Sequence, residues 1–336
     1  MPEGARLAVA FDALEGLPAL AQHRDRLLDA VRSAQPSSPE LLVAVESDIA
    51  LLARVLRRAN RGRARRERLG SIAAAVAALS SQEIEAIAVS TPVSGWVEGA
   101  PIWDPVPGRF RAHAAAVHRT TVQLARETAV EDREELLTAA LLHDVGKLAM
   151  AHADPAYADL VDESAQTPEQ RVEVERRELG LDHAVVGGLL ARHWELPHRL
   201  ASTIEHHHGP DAGRHAALVR LADILAHYGE GHPVDVAETG RLGRLLGIRS
   251  ESLGSLMYDV SSPASRGERP NTPSPLSHRQ RQVLRRLAEG KLYKQIAEEL
   301  GLSIHTVRNH AHATYAKLGV VDRAQAVLMA RDRGWL

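Results

Sequence analysis

The stretch Leu141-Leu142-His143-Asp144-Val145-Gly146-Lys147-Leu148 closes an apolar run that begins at Leu136. The pattern predicts a buried helix that places His143 and Asp144 side by side. Because a buried carboxylate is costly without a partner, such a residue is paired or binds a metal ion. The pair offers one nitrogen and one oxygen ligand to a divalent cation, and Lys147 lies one turn away, where it could hold a phosphate. A structural ion pair at a helix end is the alternative.

The composition predicts an all-α protein. Of the 336 residues, 44% are hydrophobic but only 3% are aromatic, and Ala, Leu, Arg and Glu are abundant. These residues favour helices over strands. The chain has no cysteine, which excludes disulfides and thiolate zinc sites and suits a reducing compartment. It shows no signal-like segment and no apolar run of transmembrane length, so we expect a cytoplasmic protein with no membrane partner.

The net charge of −2 hides an asymmetry between the two ends of the chain. Residues 276–336 contain 11 Lys and Arg against 5 Asp and Glu, a net charge of +6, so the preceding part is net −8. A basic C-terminal segment on an acidic body indicates that the C-terminal segment meets a polyanion. Histidine is also uneven, because 13 of the 18 histidines lie between His113 and His232.

The first hundred residues read as a helical bundle without the spacing of a catalytic site. Ser38 and Pro39 predict the start of one helix that runs through Leu56 and ends at Asn60-Arg61-Gly62. The seven arginines between positions 57 and 68 are interpreted as a solvated face. Residues Thr91 to Gly108 are rich in Pro, Gly and Trp and predict a connecting loop.

From Phe110 onward, several segments each place His or Asp among apolar residues. On the helix that follows Phe110, periodicity turns His113 towards the core and His118 towards the surface. Asp182 predicts the N-cap of a helix that begins at His183. Further downstream, His207, His208 and Asp223 are also His or Asp residues in otherwise apolar segments. Taken alone, each of these residues is most simply interpreted as a buried polar residue whose hydrogen bonds are satisfied within the core. Together these nitrogen and oxygen donors predict a site for iron, manganese, zinc or magnesium.

The end of the chain predicts a separate helical module. Residues 259–275 are rich in Ser, Pro and Arg without periodicity, which is typical of a flexible linker. Four short helices follow, the first opening at Leu276-Ser277 and the others covering Tyr293–Leu300, Ser303–Leu318 and Asp322–Arg333. Two short helices joined by a glycine turn indicate a helix-turn-helix unit.

The third of these helices has a donor-rich outer face. Its outward residues are His305, Thr306, Arg308, Asn309 and His312. Such side chains read base edges and phosphates, and the charge of +6 favours the same function. We therefore predict binding of duplex DNA through 276–336. A helical protein-interaction module is the alternative.

Residues 15 to about 230 resemble the HDOD family, a signalling relative of the HD phosphohydrolases. The matching motifs are Leu17-Pro18-Ala19-Leu20, Glu46-Ser47-Asp48-Ile49-Ala50-Leu51, Arg58-Ala59-Asn60, Leu141 to Leu148, Glu175, Leu181-Asp182-His183-Ala184-Val185-Val186-Gly187, Trp194-Glu195-Leu196-Pro197 and His207-His208. Their number and order make the resemblance specific.

In catalytic HD proteins, notably the similar HD-GYP phosphodiesterases, histidines at matching places bind two or more metal ions. The resemblance implies the ligands His113, His143, Asp144, His183, His207, His208 and Asp223, with Lys147 near a phosphate. The implied chemistry is metal-promoted attack of water on a phosphoester. However, Gly209-Pro210-Asp211 stands where those enzymes have Gly-Tyr-Pro. HDOD domains are commonly regarded as non-catalytic scaffolds, so the resemblance supports the ligands more than turnover.

Residues 276–336 resemble the LuxR-type DNA-binding domain. The matching motifs are Val283-Leu284, Glu289-Gly290, Ile296-Ala297, Leu300-Gly301-Leu302-Ser303, Thr306-Val307, His310 and Lys317-Leu318-Gly319-Val320. The resemblance implies that Thr306, Arg308 and Asn309 approach bases, while Lys294 and Lys317 contact the DNA backbone. We add His312 from the exposed face.

These observations predict three parts. The HDOD domain covers 1–258, with an N-terminal helical part at 15–100, an HD-like part at 109–232 and a helical extension at 233–258; the linker is 259–275 and the four-helix LuxR-type unit is 276–336.

The preferred function is a bacterial transcription regulator. Its HD-type domain senses a signal, such as a nucleotide second messenger or a partner signalling protein, and the chain binds DNA as a homodimer. The alternative is a metal-dependent phosphohydrolase or phosphodiesterase acting on a nucleotide or cyclic dinucleotide, with Lys147 as its catalytic residue. A third interpretation is a scaffold whose metal site is vestigial. We expect no appreciable hydrolysis, because a sensor needs its ligand to stay bound.

Overall fold

Helices account for nearly all regular structure in the described part of the chain, which confirms the predicted all-α fold. In this computed structural model the described residues are 9–12, 14–33, 38–94, 106–154, 157–160, 166–209, 213–261, 276–288, 291–318, 320, 323, 326–327 and 330. Within them, the strands are two residues long: β1 (Ala19–Leu20) pairs in parallel with β2 (Val93–Ser94). The chain divides after Ser261 into two units, which are described separately.

The first unit begins with a small helical bundle. Its helices are α1 (Ala21–Ser33), α2 (Pro39–Glu46), α3 (Ile49–Asn60), α4 (Ile72–Ala77) and α5 (Ser81–Ser90), with a 3₁₀ turn at Arg65–Glu67. Residues 9–12 and 14–15 are also helical. Ser38 accepts a hydrogen bond from the amide of Leu41, and Pro39 is the first residue of α2, so the predicted start is confirmed.

The prediction of one helix from Pro39 to the Asn60-Arg61-Gly62 break was wrong, because Asp48 divides it. The Oδ1 atom of Asp48 accepts from the amide of Ala50 at 2.9 Å and thereby caps α3. Its Oδ2 atom lies 3.2 Å from the guanidinium of Arg111. An N-cap carboxylate satisfies amides that a continuous helix would have bonded internally.

The HD-like part packs around a long helix, and the chain of helices continues to Ser261. The elements are α6 (Val106–Glu127), α7 (Arg133–Leu142), α8 (Val145–Ala153), α9 (Tyr157–Leu160), α10 (Pro168–Leu179), α11 (His183–His193), α12 (His198–His206), α13 (Arg214–Glu230), α14 (Val236–Leu246) and α15 (Ser250–Ser261). One buried apolar cluster extends from the N-terminal bundle through α15.

Four details of this part differ from prediction. Helix α6 begins at Val106, within the stretch predicted as a loop; residues 95–105 lie outside the described residues. His118 is half-buried rather than at the surface. His143 and Asp144 fall at the junction of α7 and α8, not inside one helix. Finally, α15 includes residues 259–261 of the predicted linker, because its end packs on α13: a Cβ at Gly229 would lie 2.7 Å from the Val260 carbonyl oxygen. Residues 262–275 lie outside the described residues.

Glycine allows the helix after the His143–Asp144 junction to approach α11 closely. A Cβ at Gly146 would lie 1.9 Å from the carbonyl oxygen of His183 and 2.6 Å from the amide nitrogen of Gly187. Both contacts are with backbone, so neither neighbour can rotate away. The start of α8 is therefore held directly against the first turn of α11.

We expect Gly146→Ala to lower the free energy of unfolding of the first unit by about 3 kcal/mol or more, since overpacking against backbone has no cheap relief. Gly254→Ala is the matched control: Gly254 lies inside α15 with no atom within 4 Å of an added Cβ. That control should stabilise by roughly 0.5–1 kcal/mol. Denaturant unfolding followed by circular dichroism measures both, and equal stabilities for the two variants would contradict the close packing.

The second unit is the short C-terminal helical module. Its fully described helices are α16 (His278–Ala288), α17 (Tyr293–Leu300) and α18 (Ile304–Leu318). Gly301 adopts φ +65° between α17 and α18, as a tight turn between short helices requires. The buried residues include Val283, Leu284, Ile296, Val307 and Ala311. Of the predicted fourth helix, residues 323, 326, 327 and 330 are helical and the others lie outside the described residues.

No helix in the described part of the chain combines the length and the apolar character that crossing a lipid bilayer requires.

Candidate metal centre

The structure brings together the seven side chains predicted as metal ligands. They lie on α6, at the α7–α8 junction, at the start of α11, just after α12 and within α13, and all are buried: His113, His143, Asp144, His183, His207, His208 and Asp223. Their role as ligands stays a prediction, but their convergence in the fold is an observed fact. Residues separated by more than a hundred positions in the sequence meet at one point.

Asp144 lies between the histidines. Its Oδ1 atom is 3.1 Å from Nε2 of His183, although the two are not aligned for a hydrogen bond. Its Oδ2 atom is 3.5 Å from Nε2 of His143 and 3.8 Å from Nε2 of His113. The ammonium of Lys147 donates to the same Oδ2 at 2.6 Å. Each carboxylate oxygen thus faces a different group of imidazoles.

Asp223 closes the side of the centre formed by α6 and α13. Its Oδ1 atom lies 2.9 Å from Nε2 of His113 and 3.7 Å from Nε2 of His143. On the other side, ligand atoms of His183, His207 and His208 lie within 4.8 Å of one another. The centre therefore has two neighbouring sets of donors, and Asp144 borders both.

Outer acceptors orient four of the imidazole rings. The Nδ1 atom of His143 lies 2.9 Å from the Ala140 carbonyl oxygen, and that of His207 lies 2.7 Å from the Ile204 carbonyl oxygen. A carbonyl can only accept, so in both rings Nδ1 carries a proton. Because burial lowers the pKa of His207 to about 3, Nε2 of His207 keeps its lone pair.

Carboxylates play the same part for the other two rings. Nδ1 of His183 lies 2.7 Å from Glu175, and Nδ1 of His113 lies 3.1 Å from Glu230. Glu175 also accepts a hydrogen bond at 2.5 Å from the hydroxyl of Tyr157, which is buried. Such carboxylate–histidine pairs commonly support metal-binding imidazoles.

The inner nitrogen atoms have no hydrogen-bond partner in the described structure. These buried atoms are Nε2 of His143, Nε2 of His183, Nε2 of His207 and Nδ1 of His208. A buried ring nitrogen without a hydrogen-bond partner is costly. The arrangement fits divalent cations held by the two sets of donors, which would satisfy these nitrogen atoms.

The electrostatics separate the histidines into two groups. Burial opposes the charged form of His113, but hydrogen bonds to Asp223 and Glu230 overcome it and raise its pKa to about 10. For His183, burial is likewise outweighed, chiefly by the Glu175 charge, and the pKa rises to about 9. Burial, together with the nearby imidazoles, lowers the pKa of His207 to about 3 and also lowers that of His208.

Both central carboxylates are held in the charged form. Burial would raise the pKa of Asp144, but the charges of His143 and Lys147 lower it well below its usual range. Burial would likewise raise the pKa of Asp223, but His227 and the hydrogen bond from His113 lower it well below its usual range. Two charged carboxylates in a buried centre require positive charge close by.

Sequence reasoning missed His227, which lies one turn after Asp223 and stacks on His113 with ring centroids 4.2 Å apart. Its Nε2 atom is 2.8 Å from the guanidinium of Arg171, which can only donate. Burial and the charge of His113 lower the pKa of His227 to about 3, so its single proton lies on Nδ1. His227 lies close enough to His113 and Asp223 to share a cation with them. However, neither of its ring nitrogens is available to a cation unless Arg171 is displaced.

Other missed residues are Glu230, Arg171 and Tyr157. The spacing of Glu230 from Asp223 on one face of α13 was the available signal for the first. Nothing in the sequence points to the buried Arg171 or to the hydroxyl of Tyr157, because their partners lie on other elements.

In the second unit, the side chains predicted to contact DNA are mostly exposed: Lys294, Arg308, Asn309, His312 and Lys317. Thr306 is half-buried, and its hydroxyl lies 2.8 Å from the Ser303 hydroxyl at the start of α18. The Thr306 hydroxyl is thus engaged in the helix cap. Its contact with bases stays a prediction.

Comparison with known proteins now places the chain. Residues 17–210 match the HDOD domain family, and because this is more than half of the chain, the protein belongs to that family. Residues 274–330 match the bacterial regulatory proteins of the luxR family. The predicted resemblances are therefore confirmed for both units.

Curated relatives agree with the second assignment. The chain is 47% identical over 53 residues to the spore germination protein GerE of Bacillus subtilis, covering 16% of this chain and 72% of GerE. It is 34% identical over 88 residues to the transcriptional regulatory protein DesR of Bacillus subtilis, covering 26% of this chain and 43% of DesR. The chain thus spans less than half the length of DesR.

Solved structures show the same fold at low identity. The MmoQ response regulator of Methylococcus capsulatus is 20% identical with a TM-score of 0.58, covering 71% of this chain and 97% of that one. A virulence factor of Campylobacter jejuni is 17% identical with a TM-score of 0.57, covering 79% and 98%. These similarities concern the fold alone.

The hydrogen bond from Nδ1 to the Ile204 carbonyl predicts one tautomer for His207. In metal-free protein, nitrogen NMR should show Nδ1 of this ring protonated and Nε2 unprotonated. Because burial lowers the pKa of His207 to about 3, its ring should not titrate between about pH 5 and 8, whereas a free histidine titrates near 6.5. A proton on Nε2 of His207 would contradict the inward orientation of its lone pair.

Proposed function

We propose that the protein is a transcription regulator whose HDOD unit holds a divalent-metal centre and whose luxR-type unit binds duplex DNA. The observation that carries the first half is the set of buried inward nitrogen atoms around two charged carboxylates. The family assignments of the two units support combining them in one regulator. Acting on DNA, the protein would work in the cytoplasm.

The donor set favours iron, manganese or zinc. Imidazole suits these metals, whereas magnesium prefers oxygen ligands and retains water. The ligands would be His113, His143, Asp144, His183, His207, His208 and Asp223. Because Asp144 directs one oxygen towards His183 and the other towards His143 and His113, the centre has donors for two ions that share this carboxylate.

When bound, the metal would supply the positive charge that the carboxylates need. The chain's own residues set the geometry: Glu175 and Glu230 orient His183 and His113 through their Nδ1 atoms. Lys147 neutralises part of the Asp144 charge. These contacts fix the imidazoles before any ion arrives, which favours binding.

The metal assignment is tested by a pair of adjacent histidines. We expect His207→Gln to reduce the metal content of protein purified without an affinity tag, since His207 directs a buried lone pair into the centre. His206→Gln is the control, because His206 is exposed and bonds the Ser202 carbonyl. Asp144→Ala should remove the metal and destabilise the unit by about 3–5 kcal/mol, as loss of one member of a buried ion cluster does.

Elemental analysis by mass spectrometry measures the metal content of each variant. Metal content that stays the same in His207→Gln and Asp144→Ala would show that the histidines are structural. Equal loss in His206→Gln would mean that the metal is bound at the surface instead.

The second half of the proposal rests on the exposed face of α18. Arg308, Asn309 and His312 are exposed on the helix that follows the Gly301 turn, and the 276–336 segment has a net charge of +6. Donors on a protruding helix of a helix-turn-helix unit suit the major groove. We further propose that the chain binds DNA as a homodimer, as paired half-sites favour.

Two variants distinguish base reading from backbone contact. On sites selected from random duplexes by the full chain, we expect Arg308→Ala to cost about 1–3 kcal/mol and to relax base preference. Lys294→Ala should weaken all duplexes by a similar factor. Fluorescence anisotropy measures the affinity of each variant for selected and for random duplexes. If the ratio of these two affinities is unchanged in Arg308→Ala, Arg308 does not contact bases.

A nucleotide second messenger or a partner protein is the proposed signal for the HDOD unit. Hydrolysis of such a nucleotide is the second candidate function, and Lys147 beside Asp144 is the observation that favours it. The same contact argues for sensing, because the ammonium is already engaged with a ligand carboxylate. The ligand side chains are also closely surrounded, so that seating a phosphate would require rearrangement of buried groups.

A further inference from the structure

Four exposed arginines follow one another closely in the sequence immediately after α3. Arg61, Arg63, Arg65 and Arg66 are all exposed, and Arg65 and Arg66 lie on the 3₁₀ turn. Gly62 adopts φ +77°, which turns the chain between the end of α3 and this segment. We name these four residues the arginine cluster.

Acidic partners neutralise the neighbouring arginines but not the cluster. Arg57 pairs with Glu15 at 2.5 Å, Arg58 with Glu83 at 2.5 Å and Arg68 with Glu195 at 3.2 Å.

Within the cluster, Arg66 is 3.8 Å from Glu67, and Arg63 donates to the Ala59 carbonyl oxygen at 2.8 Å. Among the ion pairs that the described part of the chain makes in this region, none involves Arg61 or Arg65. The cluster is therefore a local excess of positive charge.

The arginine cluster lies within residues 1–275, the part of the chain whose net charge is −8. Like charges held close together repel one another, and a polyanion would relieve that repulsion while releasing its own counterions. An acidic partner protein would have to approach the acidic remainder of the unit as well. A phosphate backbone can instead run past the cluster with limited contact elsewhere.

We propose that the arginine cluster binds the phosphate backbone of duplex DNA, as a sequence-independent contact in addition to that of the luxR-type unit. The inference rests on the proposed DNA binding. Once the second unit has bound DNA, the rest of the chain encounters that DNA at a high effective concentration. A backbone contact needs no fixed register, since phosphates recur about every 3.4 Å along each strand.

The test compares two triple variants of the full chain. Arg61→Gln, Arg65→Gln and Arg66→Gln remove the exposed cluster charges while leaving the Arg63 hydrogen bond in place. The control variant carries Arg177→Gln, Arg244→Gln and Arg249→Gln, which remove the same charge from exposed positions elsewhere on the first unit. Circular dichroism verifies that both variants are folded.

Binding to a long duplex that contains a selected site is then measured across salt concentrations. For the cluster variant we expect the slope of log affinity against log salt to shrink by about 2–3, at roughly 0.9 per phosphate contact, with base preference unchanged. The control variant should retain most of the wild-type slope.

Equal slopes for the two variants, with wild type still binding DNA, would overturn the arginine contact alone. Wild type that binds no duplex at low salt would overturn both this inference and the proposed DNA binding. Loss of affinity for single-stranded RNA but not for duplex DNA in the cluster variant would assign the surface to RNA and also overturn the proposal.

Discussion

The buried charge of Asp144 is the constraint on which the HD-like part depends. Its side chain is buried among helices yet ionised, with the Lys147 ammonium at 2.6 Å and Nε2 of His183 at 3.1 Å. An ionised carboxylate removed from water is tolerated only if positive charge surrounds it. The helices that supply this charge must therefore meet, and the glycine contact between α8 and α11 lets them do so.

The surrounding groups show how the charge is balanced without a cation. Asp144, Asp223, Glu175 and Glu230 all have lowered pKa values, while those of His113 and His183 are raised. Protonated imidazoles thus provide the positive charge that a metal ion would otherwise provide. Because metal ligation requires neutral imidazole, binding an ion would release these protons. Metal and protons compete for the same carboxylate-lined space.

The sequence predicted the seven ligands because several apolar segments each carry His or Asp and because these positions match those of HD proteins. It could not predict the break between α7 and α8, since the run before His143 has uninterrupted helical character. Nor could it predict the pairing of His113 with Glu230, which are 117 residues apart. The exclusion of His227 depends on Arg171, which lies on α10 and contacts His227 on α13 across 56 residues of sequence. Local patterns identify donors, whereas tertiary contacts decide which lone pairs are available.

Helix α13 connects the centre to the end of the first unit. It carries Asp223 inside the centre and, further along, Gly229, where the backbone of α15 packs against it next to Val260. The end of α15, at Ser261, is the last described residue before the segment that leads to the luxR-type unit. Close-packed helices resist continuous deformation. One helix, α13, therefore links the Asp223 carboxylate rigidly to the C-terminal end of this unit through its contact at Gly229.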